Sequence, residues 1–549
     1  MSAPLALPAL PWPLSLLIED KGFVLPVLGL SCLALGALAA AFAGKGRKKP
    51  PERRIELPGT PGAGRLMGEF LARKGEETLL GASPNRGLFG RYRGPEAFTI
   101  LPKHRQRHMQ VMGPTRSGKS QLLFSLCAQD MARKMPVFFM EAKGDVGDFS
   151  QFAKLAARAG RAQDVRYFNP ADSRSMTLNP IRRVPGQDAV SIANQISRAI
   201  GREPGGGGDS EYFRSVDYAR IQTMCEVFLK TDRDFTLKDA FHYFEFEECR
   251  EKAFGYCDDK ELVALARRQY EGRTADTSAL TAHLRPWVTG RLGKILNSYS
   301  PQIRLEDVFN NGRLAYLAIP IGHLQVLANS LGRMIIAGLL AVAFSRQKMS
   351  EKPRPASVIL DEFPEFATPA FAAFIATVGS ARLWTLFSHQ DLGQLRKVEG
   401  IDPDVFFSAL FSNSSGCKVF FHLPHPADAE LIARAVGTYS SDKVTEMLES
   451  GWLGDSGTGK KSLREVEEFI AHPNLLKSLP PGTAVAWAHQ RPPLAIETAS
   501  VHALVENRRM PKLPSVQGPQ RPGLDLAAAM PCKTGLTNKG SGSAAGTAG

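Results

Sequence analysis

Short unbroken apolar runs recur along the chain, each bounded by turn residues and separated by stretches of helical periodicity. His108-Met109-Gln110-Val111-Met112, Val137-Phe138-Phe139-Met140, Val165-Arg166-Tyr167-Phe168 and Leu314-Ala315-Tyr316-Leu317-Ala318-Ile319 are the first. Val358–Leu360, Leu383–Phe387, Val419–Phe421 and Ala484–Trp487 follow. Continuous runs, unlike alternating ones, mark strands covered on both faces. The pattern therefore predicts a mostly parallel sheet with helices on either side, an α/β fold. Between 186 and 309 the rhythm breaks. Apart from Gly205–Gly208 this stretch reads as helices over Val190–Ile200, Tyr212–Lys230, Leu237–Phe246, Asp259–Tyr270 and Ser278–Leu292, an all-α domain inserted into the α/β one.

The two ends differ from the middle. No residue from Gly22 to Gly44 is charged, which is long enough to cross a hydrocarbon core of about 30 Å. Lys45, Arg47, Lys48, Lys49, Arg53 and Arg54 follow, against Glu52 and Glu56, so the C-terminal side is expected in the cytoplasm. Leu5–Ile18 is apolar too, but Pro4, Pro8, Pro11 and Pro13 oppose a regular helix there, and one or two spans remain open. A cleaved leader would have a basic start, whereas the first 20 residues carry only Glu19 and Asp20. Residues 50–60 read as a linker and 61–105 as a mixed segment packing on the core. From about Asn507 the chain is rich in Pro, Gly, Ser and Ala, and disorder is expected. The expected organisation is a membrane anchor over 1–55, an α/β domain over 56–185 and 310–506, the all-α insertion over 186–309, and a disordered tail over 507–549.

Composition narrows the partners. The 549 residues suffice for more than one core, and the net charge of +14 favours nucleic acid or anionic lipid. The seven cysteines are scattered without paired spacing, which argues for reduced thiols and against a zinc or disulfide framework.

The chemistry is carried by Gly113-Pro114-Thr115-Arg116-Ser117-Gly118-Lys119-Ser120, which fits the phosphate-binding P-loop pattern, and these residues with Gln121, which opens the helix that follows, are the expected nucleotide-binding set. A strand leads into it, so backbone N–H groups and a helix N-terminus converge on the phosphates of ATP. Lys119 is the expected partner of the β- and γ-phosphates and Ser120 a Mg²⁺ ligand. Downstream, the strand Ser357-Val358-Ile359-Leu360 ends in Asp361-Glu362. A strand end delivers such acids to the crevice where ligands bind in parallel sheets. Asp361 is expected to hold Mg²⁺ and Glu362 to polarise water. Gly454-Asp455-Ser456-Gly457-Thr458-Gly459-Lys460-Lys461 nearly repeats the P-loop, but Lys461 replaces the required hydroxyl and the stretch reads as a flexible basic loop.

Together these residues resemble the type IV coupling proteins of the TraD/TraG kind, over roughly residues 20–500. To the anchor, P-loop, all-α insertion and acidic strand end are added Glu141-Ala142-Lys143-Gly144-Asp145 and the pairs Asn169-Pro170 and Asn179-Pro180. Ser388-His389-Gln390-Asp391-Leu392-Gly393-Gln394-Leu395 and Gly416-Cys417-Lys418-Val419-Phe420-Phe421, followed by Pro426-Ala427-Asp428-Ala429-Glu430, complete the set. The resemblance implies a RecA-like P-loop motor that forms a homo-hexamer at the bacterial inner membrane, with its C-terminal domain in the cytoplasm. It further implies ATP hydrolysis, DNA binding, single- or double-stranded, and contact with membrane lipid. The cargo would be a relaxase–DNA complex, passed to inner-membrane components of a type IV secretion channel. Gln390 would sense the γ-phosphate. Two positions depart from the family: Glu141 stands where Asp is usual, and Gly379 stands where an arginine finger is often found. Arg382, Arg291 and Arg333 remain open for that role. A membrane-anchored DNA pump for chromosome or plasmid segregation, and a recruitment platform that does not hydrolyse nucleotide, are the competing readings.

Overall fold

The computed structural model describes residues 62–530, apart from 73–74, 87–91, 203–208, 272–275, 369, 397–401, 414, 452–453 and 519–520. The expected anchor and its span over 22–44 lie outside the described residues, as does the end of the tail. The described strands are β1 (Thr78–Arg86), β2 (Tyr92–Ile100), β3 (Met109–Met112), β4 (Val137–Glu141), β5 (Val165–Phe168), β6 (Leu314–Ala318) and β7 (Ala356–Leu360). β8 (Leu383–His389), β9 (Cys417–Phe420), β10 (Thr438–Gly451), β11 (Gly454–Phe469), β12 (Thr483–Ala488) and β13 (Leu494–Thr498) complete the set.

Among the described residues one eleven-stranded sheet runs in the order β2-β1-β13-β12-β9-β3-β8-β7-β4-β6-β5. Every neighbouring pair from β9 to β5 is parallel. The other edge, β12, β13, β1 and β2, is antiparallel. The parallel strands are those whose unbroken apolar runs predict them. Along β4 the pleat sends Phe138 and Met140 into one core and Val137 and Phe139 into the other. Phe139 stacks between Phe124 and Tyr316, with ring centroids 5.4 and 5.1 Å away. β1, β2 and β13 were not read as strands from sequence. β1 and β2 carry Gly81, Pro84, Asn85, Gly94 and Pro95, residues with poor strand preference, and their place at a sheet edge is decided by pairing.

The segment 186–309 is helical, as the periodicity requires, over Ala189–Ala199, Asp209–Lys230, Leu237–Glu245, Glu247–Gly255, Lys260–Arg268 and Ser278–Val288. Its core is continuous with that on one face of the sheet: Ile192, Ile221, Tyr243 and Trp287 belong to the same buried cluster as Met112, Phe138 and Phe168. The buried Gln195 Nε2 fastens the junction, donating to the carbonyls of Pro180 (2.6 Å) and Met334 (2.8 Å). Met334 lies on the helix Val326–Gln347, the one described helix long and apolar enough to cross a membrane. Leu331, Ile335, Leu339 and Val342 on it are fully buried, so it serves as a core helix of the sheet.

Two expectations are corrected. The described residues of the tail, 507–518 and 521–530, pack against the rest of the fold, where disorder is expected from composition. Gly523 lies so close to Tyr299 that an added Cβ would stand 2.5 Å from its ring, and Leu524 N donates to the Asp234 carbonyl (2.8 Å). Leu526 is fully buried. Pro and Gly erase any periodicity there, yet an extended backbone can still hydrogen-bond and bury two leucines. The second correction concerns 454–461, which form part of β11 and not a loop. β10 and β11 pair with each other in a two-stranded sheet that, as Tyr439–Glu468, is a unit of its own, closed by the Tyr439 hydroxyl on Glu468 (2.9 Å). Pairing supplies an order that neither polar strand shows alone.

Candidate active site

β3 is fully buried and hands the chain to residues 113–118, after which the helix Lys119–Ala132 begins. Two positions there demand glycine. A Cβ on Gly113 would lie 2.6 Å from that of Phe421, and Gly118 sits at φ +112° as the helix cap. The loop is held from both sides. Gly113 N donates to the His389 carbonyl at the end of β8 (3.2 Å), and Gly482 N donates to the Ser117 carbonyl (2.8 Å). Gln121 faces the antiparallel edge: its Oε1 accepts from Ser500 Oγ and Val501 N, both at 3.3 Å. It therefore braces the helix start.

Lys119 is buried, and its Nζ donates to the carbonyls of Gly113 (2.5 Å) and Pro114 (3.2 Å). Burial pushes the pKa of its ammonium down, with Asp361 opposing the shift and Lys143 adding to it. The Ser117 hydroxyl, buried in the same loop, has no partner among the described residues. Pro114, Thr115 and Arg116 form the turn, Arg116 at φ +65°, and Ser120 is half-buried in the first helical turn.

The second half of the site comes from neighbouring strand ends. Asp361 is buried directly after β7, where its N–H donates to the Met140 carbonyl (2.8 Å) and its carboxylate accepts from the Ser388 hydroxyl. Glu362 takes a left-handed conformation at φ +55°, uncommon without glycine, and its Oε1 accepts from Gln390 Nε2 (3.0 Å). Lys143 Nζ lies 3.2 Å from Glu362 Oε1 and 3.6 Å from Asp361 Oδ2. Burial works against its charge, but the two acids outweigh it and its pKa ends raised. His389, between Ser388 and Gln390, is fully buried. Gln110 Nε2 donates to its Nε2 (3.0 Å), so its Nδ1 carries the proton given to the Asp391 carbonyl (3.1 Å). Burial lowers its pKa to about 4, and the ring stays neutral.

The structure thus gathers the P-loop with Asp361, Glu362 and Gln390 at one end of the parallel strands. The roles of Lys143, Ser388 and His389 are not readable from sequence. Each stands in a stretch that was singled out, but only the register of β4, β7 and β8 shows which side chains meet. The finger candidates lie apart. Arg291 Nε donates to the Pro170 carbonyl (2.9 Å), and Arg382, donating to the Pro353 carbonyl (3.1 Å), precedes β8 at the opposite end from Gln390. Arg333 is half-buried on the core helix, its Nε without a partner among the described residues.

The loop fits a triphosphate: its glycines leave room for close backbone approach and its buried serine has unused hydrogen-bonding capacity. No cluster of three or more His, Cys, Asp or Glu side chains stands ready for a metal among the described residues. Ser120 and Asp361 form a sparse hydroxyl–carboxylate set of the kind that suits Mg²⁺ shared with phosphate oxygens.

Comparison with known proteins agrees. Residues 355–481, from the start of β7 to the turn before β12, match the family described as "TraM recognition site of TraD and TraG". The type 4 coupling protein DotL of Legionella pneumophila is 22% identical over 355 residues, 53% of this chain and 44% of that protein, so the chain spans less than half of that relative. The fold is that of the conjugative coupling protein TrwB lacking its N-terminal segment (TM-score 0.54, 16% identity, covering 86% of this chain and 97% of that one). A structure of TrwB with ADP and Mg²⁺ gives a TM-score of 0.52 at 16% identity, over 84% and 100% of the two chains. A TraD/TraG domain match thus stands on a TrwB-like, RecA-like fold, and the chain is similar to type IV coupling proteins in both sequence and fold.

Proposed function

We propose that this chain is a membrane-anchored ATPase that pumps DNA, delivering relaxase-bound single strands to a type IV secretion channel as a homo-hexamer at the bacterial inner membrane. The observation that carries the reading is the convergence of Lys119, Asp361, Glu362 and Gln390 on adjacent strand ends. Phosphoryl transfer needs positioning and charge stabilisation more than covalent chemistry. Within 113–118 the phosphates are cradled by backbone N–H groups other than those of Pro114, which has none, and Gly113, which is committed to the His389 carbonyl. Lys119 leaves the carbonyls of Gly113 and Pro114 for the phosphate oxygens. Ser120 and Asp361 would hold Mg²⁺, which would supply charge neutralisation when bound. Glu362 takes the proton of the attacking water, its left-handed backbone aiming the carboxylate and Gln390 fixing its orientation. Gln121 braces the helix start against the antiparallel edge.

Cargo choice belongs on this reading to the all-α segment 186–309, because the P-loop core does the same chemistry for every cargo. The anchor over 1–55 ties the motor to membrane lipid and to the inner-membrane components of the channel. The net charge of +14 suits DNA bound through its phosphates. The test is ATP turnover by the purified full chain with and without DNA, together with DNA transfer between cells. Turnover stimulated by DNA and lost with Lys119→Ala supports the reading. Turnover retained in that variant overturns it. DNA binding should weaken steeply with salt, log K falling by about 0.7 to 0.9 per neutralised phosphate against log salt, and a flat profile contradicts the DNA assignment.

A further inference from the structure

Lys143 has no role in the reading above, yet it is the cation nearest both site acids. Its position is built, not incidental. The Glu141 carboxylate clips the turn by accepting from Lys143 N (2.5 Å) and Gly144 N (2.9 Å). Gly144 lies at φ +76°, and a Cβ there would come within 2.6 Å of Pro320. The turn is sewn to the next connection by Ile319 N on the Glu141 carbonyl (2.9 Å) and Ile321 N on the Ala142 carbonyl (3.1 Å). From this fixed base the side chain extends to Asp361 and Glu362 and remains 33% exposed, free to withdraw toward solvent.

Asp361 and Glu362 are adjacent and mostly shielded from water. Two such carboxylates repel and need positive charge close by. Here one ammonium serves both. Lys119, the other cation of the site, is turned into its own loop carbonyls. A divalent ion on Asp361 would bring two charges to the place where Lys143 now brings one, and the two cations repel at that distance.

We propose that Lys143 is an exchangeable counter-ion. It holds Asp361 and Glu362 in place without metal, and the divalent cation of the nucleotide must displace it to bind. It is a positioning residue acting through the two acids. It sits on the 141–145 turn that opens the helix Val146–Arg158. The inference rests on the reading of Asp361 as the metal acid.

The test is binding of Mn²⁺ with ADP to the purified full chain, followed by electron paramagnetic resonance, alongside thermal unfolding. Lys143→Met is expected to bind Mn²⁺ tighter, on the order of tenfold, because the competing charge is gone. Without metal it should melt below the unmodified chain, and the gap should close at saturating Mn²⁺ and ADP. A merely structural lysine would leave a constant gap and unchanged affinity, and that result overturns the proposal. Lys143→Arg keeps the charge and should bind no tighter than the unmodified chain. Should Lys143→Met not fold, an Arg variant that binds tighter overturns the idea by itself, and one that does not supports it. In the Glu362→Gln background the effect of Lys143→Met should shrink, and an effect of full size there also counts against the proposal. If the unmodified chain binds no Mn²⁺ with ADP, the nucleotide-site reading itself falls. Binding that is normal but indifferent to Lys143 removes only the counter-ion.

Discussion

The two ends of the parallel strands carry the same kinds of charge and use them oppositely. At the amino ends Arg105 forks onto Asp130, with Nη1–Oδ1 at 2.5 Å and Nη2–Oδ2 at 2.8 Å, and Nη2 also reaches the Ser357 hydroxyl at the start of β7 (3.1 Å). The pair is buried, and the guanidinium lies 5.2 Å from the Trp384 ring. At the carboxyl ends Lys119 leans on two carbonyls, Lys143 spans two acids from partial exposure, Glu362 sits in a strained backbone, and Ser117 has no partner among the described residues. One cluster is closed and satisfied. The other, on the function proposed above, is held by contacts that phosphate and metal would replace. The lesson is that a charge cluster is placed by strand ends but becomes a site only where its hydrogen bonds are left exchangeable.

Substitutions can break that comparison in either half. The largest effect is expected from Lys119→Ala: ATP turnover should fall by at least about a thousandfold, as expected when a positioned transition-state charge is lost, without lowering the melting temperature. A melting temperature that collapses would place Lys119 in the closed class. Next, Asp130→Ala should cost about 3–5 kcal/mol in urea unfolding, because Arg105 is left buried without its partner. ATP turnover per folded molecule should hold. Activity lost in step with Lys119→Ala would show that the two ends are not independent.

Glu362→Gln should keep nucleotide binding and slow turnover by about a hundredfold, the usual scale for losing a general base. Loss of ADP binding in a fluorescence titration would make Glu362 structural. Ser388→Ala removes one hydrogen bond from Asp361, worth about 1.5–3 kcal/mol to a charged group. The effect should fall on the Mg²⁺ dependence of turnover more than on the KM for ATP at saturating Mg²⁺.

The smallest effect is a pH dependence. Burial holds the folded-state pKa of His389 near 4, below the ordinary 6.5, so the unfolded chain takes up its proton first. Its contribution to stability is complete above pH 6.5 and is lost as pH falls toward 4. His108, lowered to about 4 by burial, adds to this. Glu141, raised by burial to about 7, acts in the opposite sense, being most favourable at low pH and losing its contribution as pH rises through 7. His389→Gln isolates one group. It should be less stable than the unmodified chain at pH 7.5, and the gap should narrow by pH 5. A gap independent of pH would mean that His389 is not kept neutral by the fold.

The parallel strands and the P-loop were legible because each is local. An unbroken apolar run needs cover on both faces wherever it lies, and Gly113 and Gly118 stand where only glycine fits. The acid pair was legible for the same reason, as the polar end of a buried strand. The antiparallel edge was not: Gly81, Pro84 and Pro95 read as loop, and only pairing with β13 makes that segment a strand. Leu524 and Leu526 are likewise too few to form a pattern until the all-α segment covers them.

The sequence by itself therefore determined the α/β class, the all-α insertion, the phosphate loop and the two acids, because periodicity, glycine geometry and strand-end polarity are properties of neighbours along the chain. Tertiary structure alone decided that Lys143 bridges Asp361 and Glu362, that Ser388 holds Asp361, that the Gln121 side chain accepts from Ser500 and Val501, and that Arg105 and Asp130 close the far end. Those contacts join residues of different strands and helices. Their distances are set by sheet order and register, which no local pattern contains.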